Sequence, residues 1–343
     1  MSELVNLGRI KMKAMTQHNK SLFILYAALN QYGYDIHDLP EYDPTRKKIR
    51  AILSKLQKEP AVESYFKCAH RPDICKEHPF WPFVCLLSNT VFILQERNGL
   101  FLKPAKGALE NHFAPYTNDF PIKLGKKEFS YLSALPEALN SFTKTSPIED
   151  MWALYKQSVS LPPGAEEMFR RDIKWFNRHF PSVSRFSFGL LFNFLERENY
   201  GGIISVGSEV GIISGPAECY PKSLVRHEIT HTAFEPLLKS IKDISRFKPL
   251  IIPGKEALKR NGYWGHDSKS SVLKVLQDTF ARALCCHLAR KDGDPIEKRL
   301  LWDKESGFLL VEKIIPKLET LIGNNRPLKG KDLENMLLEI PGH

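Results

Sequence analysis

The segment His227-Glu228-Ile229-Thr230-His231 constrains this chain more than any other stretch, because it places two histidines four residues apart. On an α-helix, residues at that spacing project from one face about a turn apart. His227 and His231 can therefore offer imidazole nitrogens to one metal ion. Glu228 would lie beside the ion, where a general base can take a proton from a water whose pKa zinc lowers to about 7. This HExxH pattern is typical of zinc-dependent hydrolases and predicts Zn²⁺ as the cofactor.

The pattern can also arise by accident. With 11 His among 343 residues, a random chain of this composition contains HExxH with a probability of about 2%. The flanks lower that risk, because Val225, Thr232 and Ala233 are uncharged and only Arg226 carries a charge. A helix exposed to solvent would carry more charges. The alternative, two surface histidines on an ordinary helix, is therefore disfavoured.

The helix that carries the motif has recognisable ends. Ser223 can serve as an N-cap, since its hydroxyl can accept from the first free backbone N–H groups. Pro236 cannot donate to the helix ladder, so it limits the regular run to about Glu235. The sequence predicts a capped helix from about residue 223 to 235.

Strand-type sequence directly precedes this helix. Residues 185–195 are rich in Phe and Leu, residues 199–202 form a turn, and residues 202–214 give two short strands around Gly207-Ser208. We predict a small antiparallel meander. An extended peptide can bind by adding itself to the edge of such a sheet. The predicted substrate-binding residues are Gly202, Ile203, Ile204 and Ser205.

A catalytic zinc ion normally takes three protein ligands and one water, so a third ligand is needed. The metzincin continuation requires Gly at position 234 and His at position 237, and it is excluded by Phe234 and Leu237. Glu235 is two turns past His227, but one helix cannot easily place three ligands around a tetrahedral ion. Asp267 is a further candidate.

Asp278 is better placed than these. It lies on a predicted helix from Ser268 to about Arg290, in a stripe of mostly small residues that lets this helix approach the motif helix closely. Arg282, one turn on, can orient the carboxylate. The competing interpretation is a surface ion pair between Asp278 and Arg282. The predicted ligand set is the two motif histidines with Asp278.

An oxyanion formed during hydrolysis needs a hydrogen-bond donor besides the metal. Tyr263 and His266 lie between the two predicted metal helices in sequence and are the candidates for this catalytic role. A Tyr-Trp pair such as Tyr263-Trp264 is also compatible with plain packing.

The composition limits partners and location. The net charge is +10, but the basic residues are scattered and match no nucleic-acid-binding motif, so specific nucleic-acid binding is not expected. Six cysteines show no regular framework and indicate free thiols in a reducing compartment. Cys68 and Cys75, with His70 and His78, match no common zinc module. No apolar run is long enough to span a membrane and no signal peptide is recognised, which favours a cytoplasmic protein.

The rest of the chain is mostly helical in pattern. Segments of helical composition cover 21–30, 43–58, 127–142 with an interruption at Pro136, 148–158 and 164–178. The favoured boundary is Thr145-Ser146-Pro147. We predict an α+β fold with a mainly helical N-terminal region (1–147) and a zincin-like catalytic region (148–343), packed together as two domains or one.

The segments HEITHTAFEPLL, Tyr263-Trp264 and LQDTFARALCCHLA resemble the bacterial zincin-like proteins grouped as domain of unknown function 4932. That family has HEFSH, an N-P-L-like element and a later helical E-x-x-x-R-A. On this resemblance the motif histidines are ligands and Glu228 is the base. Asp278 stands where the family has a ligand Glu, with Arg282-Ala283 as the R-A pair. The shorter carboxylate requires the two helices to lie closer together.

The resemblance implies a metallopeptidase, in agreement with the motif. We expect a zinc-dependent enzyme that hydrolyses a peptide or protein substrate with Glu228 as general base. Two alternatives are open. One is a non-catalytic binding protein on a zincin scaffold, and the other is a zinc amidase acting on a non-peptide substrate.

Overall fold

The computed structural model describes residues 19–34, 44–76, 78–114, 122–158, 162–196, 201–217, 219–264, 268–323 and 326–341, and for 268–270 only the backbone. These residues form a mostly helical α+β fold with two small sheets, as the sequence predicts. The helices are α1 (Lys20–Gln31), α2 (Pro44–Leu53), α3 (Pro60–Lys67), α4 (Trp81–Ile93), α5 (Ala108–Phe113), α6 (Lys126–Ser133), α7 (Leu135–Thr145), α8 (Ile148–Ser158), α9 (Ala165–His179), α10 (Lys222–Lys239), α11 (Lys248–Ile251), α12 (Lys255–Arg260), α13 (Ser268–Lys291), α14 (Glu297–Glu305), α15 (Val311–Gly323) and α16 (Gly330–Leu338). The strands are β1 (Glu96–Arg97), β2 (Leu100–Phe101), β3 (Ser187–Phe192), β4 (Gly201–Val206) and β5 (Glu209–Ser214).

Helix α1 is buried from Leu22 to Gln31. The side chain of Asn19 caps it by accepting a hydrogen bond from the Leu22 N–H at 2.8 Å. Gly33 follows the helix with a φ of 104°, in the region that favours glycine, as predicted from the turn sequence. The predicted helix over 21–30 is therefore confirmed.

Two other helices differ from the sequence prediction in where they begin or end. Helix α2 begins at Pro44 as expected but stops at Leu53, short of the predicted end near Lys58. The run over 127–142, predicted to be interrupted at Pro136, divides into α6 and α7 two residues earlier, at Ala134. Pro136 lies in the first turn of α7, where its missing N–H costs no helical hydrogen bond. The predicted helices that became α8 and α9 are confirmed.

The larger sheet has the order β3, β5, β4, with β5 in the centre. Strands β4 and β5 form the predicted antiparallel hairpin, in which Gly207 takes a φ of 62° at the turn. Strand β3 pairs with β5 in parallel, so the predicted antiparallel meander is wrong for β3. The two-residue turn fixes only the β4–β5 pairing, whereas the longer connection after β3 lets that strand lie on the far side of β5.

Helix α10 carries the HExxH motif and differs from its predicted ends. Its N-cap is Pro221, and the Ser223 hydroxyl accepts a hydrogen bond from Arg299 instead of capping the helix. The helix also continues through Pro236 to Lys239. The packing of buried side chains such as Leu238 stabilises the helix by more than the proline destabilises it, because tertiary contacts can override local helix propensity.

Helix α13, predicted from Ser268 to about Arg290, is confirmed and is the main packing partner of α10. The two helices are antiparallel. The Cys285 thiol lies 3.7 Å from the Ser223 carbonyl oxygen at one end, and the Gln277 amide donates to the His231 carbonyl at 3.3 Å nearer the other. Small buried residues on α13 allow this close approach, as predicted. The packing brings Asp278 opposite the motif histidines.

One hydrophobic core runs through the described chain from α1 to α16. The predicted boundary falls between α7 and α8, where Phe142 and Ile148 on its two sides belong to the same core. Helix α4 from the N-terminal half packs against β4 from the C-terminal half. The N-terminal helices therefore help to build the surroundings of α10. No helix in the described ranges is both long and apolar enough to cross a membrane.

Candidate metal centre

The structure brings together the three predicted ligands. His227 and His231 project from α10 towards Asp278 on α13, and one potential ligand atom from each of the three lies within 4.8 Å of the other two. The Nε2 atoms of the two histidines are 3.1 Å apart. His227 Nε2 is 3.6 Å from Asp278 Oδ1. Two nitrogens and one carboxylate oxygen thus converge on one point between two helices.

These distances fit a tetrahedral zinc ion. Ligand atoms about 2.1 Å from such an ion lie about 3.4 Å from one another. The two separations of 3.1 and 3.6 Å fall on either side of that value. Two histidines and one carboxylate are also a ligand set found at catalytic zinc, where a fourth position is left for water.

The protonation states suit a metal cation. Burial lowers the pKa of His227 to about 3, against the opposing effect of its hydrogen bond to Asp278, so the imidazole is neutral and keeps a lone pair. Burial alone would raise the pKa of Asp278. The hydrogen bond to His227 and the charges of His231 and Arg282 outweigh that effect and lower the pKa to about 2, so the carboxylate is ionised. Neutral imidazole and ionised carboxylate are the forms that bind metals.

Glu228 is buried and borders the same cleft as the ligands. It does not belong to the ligand cluster of the described residues. Burial raises the pKa of the Glu228 carboxyl, with His231 opposing this shift and Asp278 adding to it. A carboxylate with a raised pKa accepts a proton more readily, which is the property required of a general base near neutral pH.

Arg282 contacts different groups from those predicted. Its Nη1 donates to Asp303 Oδ1 at 2.6 Å and its Nη2 donates to the Tyr263 hydroxyl at 3.0 Å. The described contacts include no hydrogen bond from Arg282 to Asp278. Asp303 from α14 is only 1% exposed and requires a buried counter-charge, which explains where the guanidinium lies. Arg282 therefore acts on Asp278 through its charge.

Tyr263 borders the cleft, as expected for a candidate oxyanion donor. Burial raises the pKa of its phenol to about 12, so the hydroxyl keeps its proton. The hydroxyl oxygen accepts from Arg282, which leaves the O–H free to donate in another direction. The ring also packs against Trp81 and Phe308, with centroids 5.9 and 4.9 Å away, so the predicted packing role is present too.

The other sequence candidates are not part of the described ligand cluster. His266 and Asp267 fall outside the described residues. Glu235 forms an ion pair with Lys239 one turn further along α10. Cys68 and Cys75, with the nearby histidines, form no ligand cluster in the described ranges, and all six cysteines are free thiols, as predicted. Asp278 is the described carboxylate that joins the two histidines.

A cleft of about 480 Å³ opens beside the cluster. From β4, it is lined by Gly202, Ile203 and Ser205, three of the four predicted substrate-binding residues. The side chain of Ile204 points the other way and is buried in the core, because successive residues of a strand face opposite sides. Three of the predicted substrate-binding residues therefore share a cleft with the His-His-Asp cluster.

Helix α4 supplies a wall of this cleft that the sequence analysis did not predict. Trp81, Cys85 and Asn89 line it at four-residue spacing, which places them on one face of the helix. Asn89 also binds the free edge of β4: its amide donates to the Ile203 carbonyl at 3.2 Å and its oxygen accepts from the Ser205 N–H at 3.0 Å. The signal in the sequence was the polar run Ser88-Asn89-Thr90 inside a helix that is otherwise mostly apolar.

Comparison of the chain with protein-family models, with curated proteins and with solved structures finds no match.

Proposed function

We propose that this protein is a zinc-dependent peptidase with a zincin-like catalytic region. The observation that supports the proposal best is the convergence of His227, His231 and Asp278 at zinc-like spacing, with Glu228 in the same cleft. A zinc ion bound there would supply Lewis acidity, both to a water molecule and to the scissile carbonyl.

Residues of the chain would carry out proton transfer, oxyanion stabilisation and substrate binding. Glu228 takes the proton of the attacking water and returns it to the leaving amine, for which its burial and raised pKa prepare it. Tyr263, whose hydroxyl keeps its proton and borders the cleft, donates to the oxyanion. The β4 residues that line the cleft, among them Gly202 and Ile203, contact the substrate.

The experiment compares wild type with Glu228→Gln. We expect stoichiometric zinc in both purified proteins and hydrolysis of a peptide library by wild type, with the rate falling about 10²- to 10⁴-fold in the variant. Glu256→Gln is the matched control, because Glu256 is an exposed glutamate on α12 that pairs with Lys259. It should leave both measurements unchanged.

Two results would contradict the proposal. One is freshly purified protein without zinc, and the other is full activity in Glu228→Gln. Bound zinc without any peptide hydrolysis would instead favour an amidase or a non-catalytic binding protein.

We also propose that the protein works in a reducing compartment such as the cytoplasm. All six cysteines are free thiols in the structure, which suits such a compartment. Recovery of disulfide-linked protein from its native cells would contradict this.

A further inference from the structure

Trp302 is a large apolar side chain that stays exposed beside the His-His-Asp cluster. It lies on α14 with 51% of its surface accessible to solvent, and it lines the cleft. Leu301, the residue before it, is 58% exposed but is not among the residues that line the cleft. Because single exposed apolar residues are common on protein surfaces, the position of Trp302 decides what its exposure means.

Arg282 holds the Trp302 ring close to the cluster. The central carbon of the Arg282 guanidinium lies 4.8 Å from the centre of that ring, within the range of cation–π attraction. Arg282 itself follows Asp278 by one turn of α13. The indole of Trp302 is thus one side chain away from a member of the cluster.

The same end of the cleft continues onto α10 and β4. Arg299, which precedes Trp302 by three residues on α14, donates to the Ser223 hydroxyl near the start of α10. Leu224, the next residue of α10, lines the cleft. Gly201 of β4 is a close neighbour, because a Cβ atom at Gly201 would lie 2.9 Å from Leu224 Cδ2. Three elements therefore meet around Trp302 at this end of the cleft.

Apolar side chains that are only partly buried continue the lining away from Trp302. They are Trp81, Phe186, Ile203, Leu224 and Tyr263. An apolar group that entered the cleft would remove water from several such surfaces at once. Burial of this kind is favourable in proportion to the apolar area that is covered.

The charged side chains of the lining are engaged within the protein. Apart from the His-His-Asp cluster and Glu228, three of them have a polar partner: Glu235 has Lys239, Arg282 has Asp303 and Arg299 has the Ser223 hydroxyl. The Lys274 ammonium is shielded from solvent and lies 5.0 Å from the centre of the Trp81 ring. A charged substrate side chain would have to compete with these contacts after losing its own hydration, whereas an apolar one would not.

The β4 wall offers a substrate limited main-chain pairing. The Asn89 side chain donates to the Ile203 carbonyl and accepts from the Ser205 N–H. A substrate strand would have to displace Asn89 to pair with that N–H. Selection of a substrate therefore depends more on the burial of its side chains.

We propose that Trp302 is a specificity-determining residue and that the substrate is a peptide with a large apolar side chain, preferably aromatic, next to the scissile bond. This inference rests on the proposed function and names its substrate class. Consecutive residues of an extended chain are about 3.3–3.6 Å apart, so the residue next to the scissile bond stays close to the cluster, as Trp302 does. The cleft volume of about 480 Å³ leaves room for such a side chain, and an aromatic ring gains from contact with the indole beyond the area that it buries.

The test measures binding separately from turnover. Zinc-loaded Glu228→Gln is titrated by calorimetry with alanine hexapeptides that are blocked at both ends and carry Phe, Leu, Glu or Lys at one position, which is moved along the peptide. We expect Phe at one position to strengthen binding about 10- to 100-fold over Ala, Leu to strengthen it less, and Glu or Lys not to strengthen it. Adding Trp302→Ala should remove most of the gain, whereas Trp302→Phe should keep it.

Leu301→Ala is the matched control. Leu301 is adjacent to Trp302 and similarly exposed, but it is not among the lining residues. Its replacement should leave the preference for Phe unchanged. Zinc content and circular dichroism of every variant show whether the metal site and the fold are intact.

No binding of the peptides, equal binding of the Phe and Ala peptides, or tighter binding of the Glu or Lys peptides would overturn the inference. So would an equal loss for every peptide in Trp302→Ala and Trp302→Phe, because that pattern indicates a structural role. Mass spectrometry of wild-type digests gives a second readout, in which cleavage beside aromatic residues supports the inference and cleavage without regard to them contradicts it. A preference for Phe that depends on Trp302 in a protein without hydrolysis would refute the peptidase and leave the apolar site standing.

Discussion

Two neighbouring residues of α10 belong to two different buried polar clusters. Arg226 is held by acidic groups: its Nε and Nη2 donate to Asp172 Oδ1 at 3.1 and 3.0 Å, and its Nη1 donates to Asp292 at 2.7 Å. Tyr220 completes this cluster by donating to the other Asp172 oxygen at 3.0 Å. His227, the next residue, points towards His231 and Asp278.

The difference lies in how the charges and lone pairs are used. In the Arg226 cluster each donor meets an acceptor and the positive charge meets negative ones, so the group is complete without a ligand. In the His227 cluster one neutral imidazole, a second histidine and one carboxylate direct their nitrogen and oxygen atoms to a common point. The first arrangement stabilises the fold, whereas the second gains most from binding a cation.

The largest effect should come from the Arg226 cluster. Arg226→Met leaves the buried Asp172 without its cation, so we expect the free energy of unfolding to fall by about 3–5 kcal/mol. Urea denaturation measures this change. Adding Asp172→Asn should recover part of the loss because the stranded charge is removed. If Arg226→Met kept its stability but lost zinc binding, the distinction between the two clusters would be wrong.

Asp278→Asn should change zinc binding rather than the stability of the fold. Removing a direct ligand should weaken zinc binding more than the 10- to 100-fold typical of groups that only support a ligand, while the metal-free protein unfolds much as wild type does. Competition with a chromogenic chelator measures the affinity. An unchanged affinity would move the third ligand to Asp267 or Glu235.

The effect of zinc on thermal stability should again differ between variants of the two clusters. Free zinc at 100 times its Kd should stabilise wild type by about 2.7 kcal/mol. The gain should disappear in His227→Ala and persist in Arg226→Met, which thermal unfolding with and without chelator can show. A gain that persists in His227→Ala would point to zinc bound elsewhere.

The smallest effect concerns acid pH. Burial raises the pKa of Asp292, but its hydrogen bond and charge interactions with Arg226 and Lys222 outweigh this and lower it below the ordinary 3.8. Its contribution to stability is therefore present above about pH 4 and is lost as the pH falls through the lowered pKa. The stability difference between wild type and Asp292→Asn should be small at pH 7, since the side chain is partly exposed, and smaller still at pH 3. A difference that grows on acidification would contradict this assignment.

The His-His-Asp cluster could be predicted from sequence because its geometry is mostly local. The four-residue spacing of the motif fixes one helical face, and the small residues around Asp278 indicate a helix that can approach closely. The prolines and the predicted N-cap residue were poorer guides to where the helices begin and end. Pro236 proved compatible with α10, because the core contacts around it outweigh a single lost hydrogen bond.

The order of the sheet and the α4 wall could not be predicted in the same way. Nothing near β3 specifies which edge of the hairpin it joins, since that choice depends on the packing of distant segments. Asn89 and Lys274 lie far from the motif in sequence, and only the tertiary fold places them in one cleft. Local patterns predicted the members of the His-His-Asp cluster, whereas the walls of the cleft beside it are made by long-range contacts.

The antiparallel packing of α10 and α13 has a kinetic consequence. Because Asp278 lies 47 positions beyond His231 on a separate helix, a bound ion would close a long loop of the chain. Separation of the two helices would remove the Asp278 ligand from such an ion, so a bound ion should slow the opening of the α10–α13 contact. Backbone amides of α13 should accordingly exchange their hydrogens more slowly when the ion is bound.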